Sequence, residues 1–260
     1  MPQTLQFYKY QGTGNDFVII DNRKQVFKND TKLVKKLCDR KFGIGADGLI
    51  CLENSNQVDF KMLYFNADGR ESSMCGNGGR CIVAFAKYLG VINEQCTFEA
   101  VDGLHQAKIN TEGRVELKMT DVHKINNFKN NTILDTGSPH FVRFVENANT
   151  VDVPKKGAEV RYSEQFKAEG INVNFAHLEN DILNIRTYER GVEDETLSCG
   201  TGVTAVAIAA AHQDLISSNS VSIKTPGGSL QVKFEKSHSG YENIWLTGPA
   251  EMVFKGEIKC

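Results

Sequence analysis

The chain has 260 residues, 40% of them hydrophobic and 24% charged, a balance typical of folded globular proteins that excludes a disordered or fibrous chain. Its 30 lysines and arginines and 32 aspartates and glutamates give a formal net charge of -2 without a basic cluster, so we expect no nucleic-acid partner. No apolar stretch approaches the about 20 residues of a membrane span, and the start lacks an apolar signal-peptide core. We therefore expect a cytoplasmic protein that does not bind membranes.

Hydrophobic periodicity predicts mainly strands, with one clear central helix in each half of the chain. The predicted strands of the first half are residues 7–10, 17–21, 60–65 and 115–119. Its predicted helices are residues 30–40 and 80–89. The second half has predicted strands at residues 141–145, 173–178, 182–188 and 230–234, and a helix at residues 203–212. This pattern predicts an α+β fold in which a sheet wraps around the central helix of each half.

The two halves repeat one sequence pattern at a nearly constant offset. Cys75-Gly-Asn-Gly recurs as Cys199-Gly-Thr-Gly, 124 residues later, and Phe17-Val recurs as Phe141-Val at the same offset. A Thr-Gly pair and a Gly-x-x-Gln-x-Lys pattern recur at offsets of 123 and 125. Four matches in the same order predict two copies of one unit of about 120 residues, which is an ordinary domain size.

Nucleotide and metal sites are not supported by the motifs. Gly43-Ile-Gly-Ala-Asp-Gly48 fits the dinucleotide pattern, but a predicted helix precedes it and an apolar run follows it. A dinucleotide loop needs the opposite order, so we interpret the segment as a helix-to-strand connection. The chain has no Cys-x-x-Cys or His-Glu-x-x-His, and its six histidines lack helical ligand spacing, so we expect no metal. His140, which lies in a repeated segment at the start of a predicted strand, is the one histidine that stays a candidate.

The seven cysteines separate into two groups by their surroundings. Cys75 and Cys199 each precede Gly-x-Gly and a helix, which places the sulfur among the free N–H groups of a helix start and favours the thiolate. Two thiols facing each other across a cleft between the halves could invert a stereocentre, one removing a proton and the other returning one. A redox pair is the alternative, although redox cysteines usually lie close in sequence. The cysteines expected to be inert are Cys38, Cys51, Cys81, Cys96 and Cys260.

Polar residues lie near both cysteine segments, where a lined pocket explains them better than separate surface loops do. They are Asn15, Asn66, Asn77, Asn172, Glu189 and Arg190. Arg190 suits a second carboxylate of a substrate, because its guanidinium can bind both oxygens. Glu189 suits an ammonium group. For any single one of these residues, an ordinary role as a polar residue of a surface loop remains the alternative.

Seven motifs together resemble the diaminopimelate epimerase family over essentially the whole chain. They begin at Gly12, Gly43, Phe65, Met74, Tyr188, Cys199 and Pro226 and read GTGNDF, GIGADG, FNADG, MCGNGGRC, YERG, CGTG and PGG. The resemblance implies an epimerase, an isomerase that interconverts LL- and meso-2,6-diaminopimelate without a cofactor, in the bacterial route to lysine and peptidoglycan. It implies two pseudo-symmetric domains, each a mostly antiparallel sheet around a central helix, with the active-site cleft between them.

The resemblance also implies domain limits and residue roles. Because the family's last strand returns to the first domain, residues 1–119 with about 250–260 form one domain and residues 120–249 the other. Cys75 and Cys199 match the two acid/base cysteines, one a thiolate and the other a thiol. The positions that match substrate-binding residues are Asn15, Asn66, Asn172, Glu189 and Arg190, and those that match groups holding the α-carboxylate are Gly76, Asn77, Gly200 and Thr201.

The sequence departs from the family pattern in three places. Gly48 stands where some members have Gln, and Ser138 where many have Asn before Pro-His. Serine still donates and accepts hydrogen bonds, so Ser138 and His140 stay candidates for the site. The segment 191–196 is one residue longer than the commonest form. None of these departures changes the cysteines.

Two other functions remain open at this point. One is a related two-cysteine racemase or epimerase acting on proline, hydroxyproline or histidine, and the other is an amino-acid-binding homologue without catalysis. In each case the partner is a small molecule. The resemblance also allows a homodimer, whereas the sequence itself does not indicate the oligomeric state.

Overall fold

The computed structural model describes residues 4–260 and divides them into two compact units. The first unit contains the described residues up to Leu117 together with Gly248–Cys260, and the second contains Lys118–Thr247. Within the described residues, no helix is both long enough and apolar enough to cross a membrane.

The first unit is built on strands with two α-helices between them. In chain order its elements are β1 (Thr4–Gly12), β2 (Asn15–Asp21), α1 (Thr31–Cys38), β3 (Gly48–Glu53), β4 (Phe60–Asn66), α2 (Gly76–Tyr88), β5 (Gln95–Ala100), β6 (Gly103–Ile109) and β7 (Val115–Lys118). The segment 43–48 therefore connects a helix to a strand, as predicted.

The second unit has the same alternation of strands and helices. Its elements are β8 (Ile125–Phe128), β9 (Asn131–Asp135), β10 (Pro139–Phe144), a short 3₁₀ turn (Ala148–Thr150), α3 (Val153–Arg161), β11 (Asn172–Glu179), β12 (Ile182–Glu189), β13 (Asp194–Thr196), α4 (Gly200–His212), β14 (Ser220–Thr225), β15 (Gly228–Ser237) and β16 (Gly240–Gly248). The chain then enters the first unit again with β17 (Glu251–Lys259), which pairs antiparallel with β1.

The main strand pairings of the two units follow the same series. In the first unit β1–β2 and β3–β4 are antiparallel, β2–β3 and β4–β5 are parallel, and β5–β6–β7 is an antiparallel meander. The second unit repeats this series with β9, β10, β11, β12, β14, β15 and β16. Each parallel pair is joined by a connection that carries a helix, which parallel strands require. The predicted α+β fold with two similar, mostly antiparallel units is confirmed.

One central helix in each unit is almost completely enclosed by its sheet. Helices α2 and α4 each have 13 residues and begin 124 residues apart. α4 is apolar on all sides, with buried residues at eleven of its positions, and it contacts strands β9, β10, β11, β12, β14 and β15. A helix of this composition is stable only when it is surrounded by protein, which agrees with the predicted sheet around a helix.

A second, shorter helix covers the other face of each sheet. Val18 and Ile20 of β2 belong to one core cluster with Val34 and Leu37 of α1. Alternate residues of a strand point to opposite faces, so Phe17 and its neighbour Ile19 point away from α1. In the second unit, Val153 of α3 lies in the corresponding cluster on β10 and β11.

Candidate active site

Cys75 caps the central helix of the first unit. Its backbone is extended (φ -99°, ψ 144°), and its Sγ accepts the N–H of Gly78 at 3.2 Å, the bond that a serine or aspartate oxygen makes at an ordinary helix start. The sulfur is half-buried at the positive end of α2. The free N–H groups and the helix dipole there both stabilise a negative charge.

An amide and a carboxylate hold the surroundings of Cys75. The Sγ of Cys75 lies 3.8 Å from Asn15 Oδ1, which can accept the thiol proton, and Asn77 Nδ2 donates to the same oxygen at 3.2 Å. Asn15 Nδ2 in turn donates to Asp47 Oδ2 at 2.7 Å. Asp47 thus accepts from the amide nitrogen of Asn15, and the carbonyl oxygen of Asn15 is turned towards the sulfur.

Asp47 belongs to an ion-pair network behind this amide. Arg40 bridges Asp47 and Asp16 at 2.8 and 2.6 Å, and Lys9 pairs with Asp16 at 2.7 Å and donates to Gly45 O. Burial raises the pKa of Asp16, but the hydrogen bonds from Arg40 and Lys9 outweigh burial and bring this pKa down to about 2. Asp16 is therefore ionised at neutral pH and anchors Arg40.

Arg80 is fully buried in the first turns of α2. Its guanidinium donates to Gly76 O, Asn77 Oδ1, Thr13 Oγ1 and Pro249 O over 3.0–3.3 Å. Burial lowers its pKa to about 10, so the group stays cationic at neutral pH. Arg80 thereby fixes both the backbone and the side chain that follow Cys75.

Asn66 and Gly48 lie opposite each other where β4 and β3 meet, and the Asn66 side chain is exposed. A Cβ at Gly48 would lie 2.6 Å from Tyr64 Cε2 and 2.7 Å from Phe65 O. In this chain the aromatic ring of Tyr64 thus fills the space in which a side chain at position 48 would begin. The Gln that some family members have there is not compatible with this packing.

Cys199 caps the central helix of the second unit with different contacts. Its backbone is also extended (φ -120°, ψ 113°), but no side-chain capping bond forms. The Sγ lies 3.4 Å from Thr201 Oγ1, and the residue is buried. Thr201 Oγ1 is also 2.9 Å from His140 Nε2, and Thr136 Oγ1 donates to the Thr201 carbonyl oxygen at 2.9 Å.

His140 is a neutral, fully buried residue next to this threonine. Burial and, to a smaller extent, the charge of Arg190 together lower its pKa to about 3. Its Nδ1 lies 3.1 Å from Asn174 Nδ2. The structure therefore brings the predicted residues His140, Thr201 and Cys199 into one hydrogen-bonded series.

A second cluster of predicted residues lies beside this series, because Asn172 is directly opposite His140 in the register of β10 and β11. Asn172 Nδ2 donates to Ser138 Oγ at 2.9 Å, and its Oδ1 accepts the backbone N–H of Arg190 at 2.9 Å. Arg190 Nη2 lies 3.4 Å from the same Ser138 oxygen, and its guanidinium is exposed. Glu189, at the end of β12, accepts a hydrogen bond from Thr196 Oγ1.

Three residues that hydrogen-bond to groups around the cysteines were not among the predicted site residues. Asp47 and Arg80 lie within quoted motifs, but a charged residue in a glycine loop or a helix gives no sequence sign of its orientation. Asn174, in contrast, could have been found from the sequence. It follows Asn172 by two positions in an apolar strand, so both amides point to the same face.

Among the residues that the structure describes, no group of three or more histidine, cysteine, aspartate or glutamate side chains could hold a metal ion. The groups nearest the two sulfurs are helix N-termini, amides and hydroxyls, supported by one buried imidazole, a carboxylate and a buried guanidinium. Such groups can hold an anion and move a proton at sulfur.

The fold is that of a known class of proteins. A PhzF-family phenazine biosynthesis protein from Bacillus anthracis matches with a TM-score of 0.81 at 14% identity, covering 99% of this chain and 100% of that one. A hydroxyproline epimerase from Agrobacterium vitis, solved with bound trans-4-hydroxy-L-proline, matches with a TM-score of 0.71 at 14% identity, covering 100% and 94%. At this identity the likeness shows the fold alone, which is that of the PhzF and proline racemase proteins.

Sequence similarity is more specific. The family model described as diaminopimelate epimerase matches residues 7–125 and 132–253. The chain is 54% identical to the diaminopimelate epimerase of Flavobacterium psychrophilum, covering 98% of this chain and 100% of that protein. It is 41% identical to that of Chlorobaculum tepidum, covering 95% and 98%. The chain belongs to the diaminopimelate epimerase family, which confirms the predicted resemblance.

Proposed function

We propose that this chain interconverts LL- and meso-2,6-diaminopimelate by proton transfer at Cα without a cofactor, supplying the lysine and peptidoglycan routes. The observation that carries the proposal is the equivalence of Cys75 and Cys199. Each caps the 13-residue central helix of one repeated unit, in a member of the diaminopimelate epimerase family. Binding alone would not need a thiol in both units.

In the proposed reaction one cysteine is a thiolate and the other a thiol. The thiolate forms an S–H bond with the α-proton as the Cα–H bond breaks, and the electron pair is left on the α-carbon and its carboxylate. The thiol then gives its proton to the opposite face, and the reverse reaction exchanges the roles. The mechanism requires that the two sulfurs reach opposite faces of one α-carbon.

The α-proton is far less acidic than a thiol, so the carbanion must be stabilised by its surroundings. The backbone N–H groups at the starts of α2 and α4 can hold the reacting carboxylate, and the positive helix ends favour its increased charge. The residues that we assign to this role are Gly76, Asn77, Gly200 and Thr201. This stabilisation removes the need for pyridoxal phosphate.

The other residues give the proposed specificity for a substrate with a second charged end. Arg190, held beside Ser138 and Asn172, has an exposed guanidinium suited to the distal carboxylate. Glu189 is suited to an ammonium group. On the first unit we assign substrate contacts to Asn15 and Asn66.

Incubation with LL-diaminopimelate in D2O tests the reaction directly. We expect meso product with deuterium at Cα, and no deuterium incorporation would overturn the proposal. Cys75→Ala and Cys199→Ala should each abolish epimerisation, because each face needs its own proton carrier. Cys96→Ala removes a buried cysteine of the first unit and should keep full activity.

A substrate panel separates the proposal from related activities. Turnover of proline, trans-4-hydroxyproline or histidine in place of diaminopimelate would favour a related racemase. Tight binding of diaminopimelate without solvent exchange would favour a non-catalytic binding protein. We further propose that the protein acts in the cytoplasm, where thiols remain reduced. We also propose that it forms a homodimer, which light scattering tests.

A further inference from the structure

A continuous series of hydrogen bonds leads from strand β12 to the sulfur of Cys199. Thr187 Oγ1 donates to Asn174 Oδ1 at 2.9 Å, and Asn174 Nδ2 lies 3.1 Å from His140 Nδ1. His140 Nε2 lies 2.9 Å from Thr201 Oγ1, which lies 3.4 Å from Cys199 Sγ. Thr187, Asn174 and His140 are buried, so water does not compete for these bonds.

The direction of the series is fixed at Asn174. Its Nδ2 also lies 3.0 Å from the carbonyl oxygen of Phe141, a group that only accepts hydrogen bonds, while its Oδ1 accepts from Thr187. The amide nitrogen therefore faces His140. Because an amide nitrogen only donates, His140 Nδ1 must be the acceptor and carries no proton.

The tautomer of His140 then determines the orientation of the next hydroxyl. A neutral imidazole has one proton, and burial keeps His140 neutral, so this proton is on Nε2. Nε2–H donates to Thr201 Oγ1. The hydroxyl hydrogen of Thr201 is thereby free to point at Cys199 Sγ.

We propose that Asn174, oriented by Thr187, is a positioning residue that fixes the Nε2–H tautomer of His140 and so makes the Thr201 hydroxyl a donor to Cys199. This inference rests on the proposed function above. A donated O–H bond stabilises the Cys199 thiolate that forms once this cysteine has given up its proton.

The second glycine of the Cys-Gly-Thr-Gly segment fits this arrangement. A Cβ at Gly202 would lie 2.6 Å from Asn174 Oδ1 and 3.4 Å from His140 Cε1. A side chain at this position would displace the amide that orients the imidazole. The first unit has another solution, since Cys75 accepts a backbone N–H and contacts the Asn15 amide.

Nitrogen-15 NMR of the protein with labelled histidine tests the tautomer without any substitution in the series. The His140 signals are assigned by their absence from a His140→Gln variant. We expect an unprotonated Nδ1 and a protonated Nε2 at neutral pH. A protonated Nδ1 would overturn the proposal. The measurement needs no turnover, so an inactive protein with the expected tautomer would count against the proposed function alone.

Asn174→Asp tests the consequence, because it replaces the donor at His140 Nδ1 by an acceptor. The proton should move to Nδ1, Nε2 should accept from Thr201, and kcat should fall about 10- to 100-fold with little change in KM. The matched control is Asn131→Asp, a buried asparagine of the same unit that contacts Arg143 and backbone carbonyls instead. It should change neither the tautomer nor kcat.

Loss of kcat in Asn174→Asp with an unchanged His140 tautomer would overturn the proposal, and so would an unchanged kcat with a shifted tautomer. If Asn174→Asp does not fold, Thr187→Val and Thr187→Ser carry the test. The serine keeps the hydroxyl and should behave as the original protein, whereas the valine should give a mixture of His140 tautomers and a lower kcat. Identical spectra and rates for these two variants would overturn the orienting role of Thr187.

Discussion

Arg80 and Thr204 occupy the same position of two equivalent helices, and each donates to the equivalent backbone carbonyl oxygen of its own helix. Arg80 Nη1 donates to Gly76 O at 3.2 Å, and Thr204 Oγ1 donates to Gly200 O at 3.0 Å. Both side chains are fully buried, and both tie the fifth helical residue to the glycine that follows the capping cysteine. The two units therefore share a contact but exchange a cation for a neutral hydroxyl.

This difference predicts unequal costs of substitution. Arg80→Met removes a buried guanidinium that makes four hydrogen bonds, so the free energy of unfolding should fall by about 2–4 kcal/mol. Thr204→Val is nearly isosteric and loses one bond, which should cost about 1 kcal/mol. Urea denaturation of both variants measures the two losses. Equal losses would contradict the special role of the buried cation.

Asp47→Ala should lower activity more than stability. Its carboxylate is partly exposed but orients Asn15, whose carbonyl oxygen faces the Cys75 sulfur. We expect kcat to fall about 10-fold, as is typical when a group that orients a reacting side chain is lost. Glu99→Ala removes another partly exposed carboxylate of the same unit, one that pairs with Lys61, and serves as the control. Steady-state kinetics showing the same small effect for both variants would refute the orientation by Asp47.

Asp16 should contribute stability that depends on pH in a defined direction. Its pKa in the folded protein, about 2, lies below the ordinary value of 3.8, so the stabilisation is present above pH 3.8 and is lost as the pH falls through 2. Asp16→Asn should therefore lower the free energy of unfolding by about 2 kcal/mol at pH 6, and by progressively less between pH 5 and pH 2. Denaturation at several pH values measures this, and a difference that stays constant would argue against the ion pairs.

Ser138→Ala should weaken substrate binding rather than the chemical step. The serine oxygen lies between Asn172 and Arg190, whose guanidinium also donates to Glu169 O. Loss of the serine oxygen should loosen the guanidinium and raise KM for diaminopimelate about 5-fold, equivalent to one hydrogen bond. Ser138→Asn, which introduces the residue common in the family, should keep KM close to that of the original protein. If kcat fell instead and KM stayed constant, Ser138 would not act through the substrate-binding cluster.

Much of the fold follows from local pattern, and the errors have physical causes. The central helices begin at Gly76 and Gly200, earlier than the predicted residues 80 and 203, because glycine is a poor helix former in general but costs little in the first turn beside a cap. Helix α3 was missed although Asp152 caps it and proline lies in its first turn, because few of its residues are buried. The short edge strands such as β8 and β13 lack alternation altogether.

The sequence predicts the residues of the candidate site that lie in chemically distinctive motifs. The glycine-flanked cysteines could be found because a thiol at a helix start has a defined environment. The residues behind them could not, because Asp47, Arg80 and Asn174 act through tertiary hydrogen bonds whose partners are distant in sequence. Such pairings depend on strand register and helix packing, which a single sequence does not specify.

The pairing of β17 with β1 sets the order in which the two units can be completed during synthesis. Leu5 lies opposite Ile258, so the first unit lacks the partner of its β1 edge until the whole second unit has been made. At about 5–20 residues per second this interval is on the order of ten seconds. A nascent chain therefore exposes an unpaired strand edge on its earlier half while its later half can already fold, and that edge is where chaperone binding or misassembly would begin.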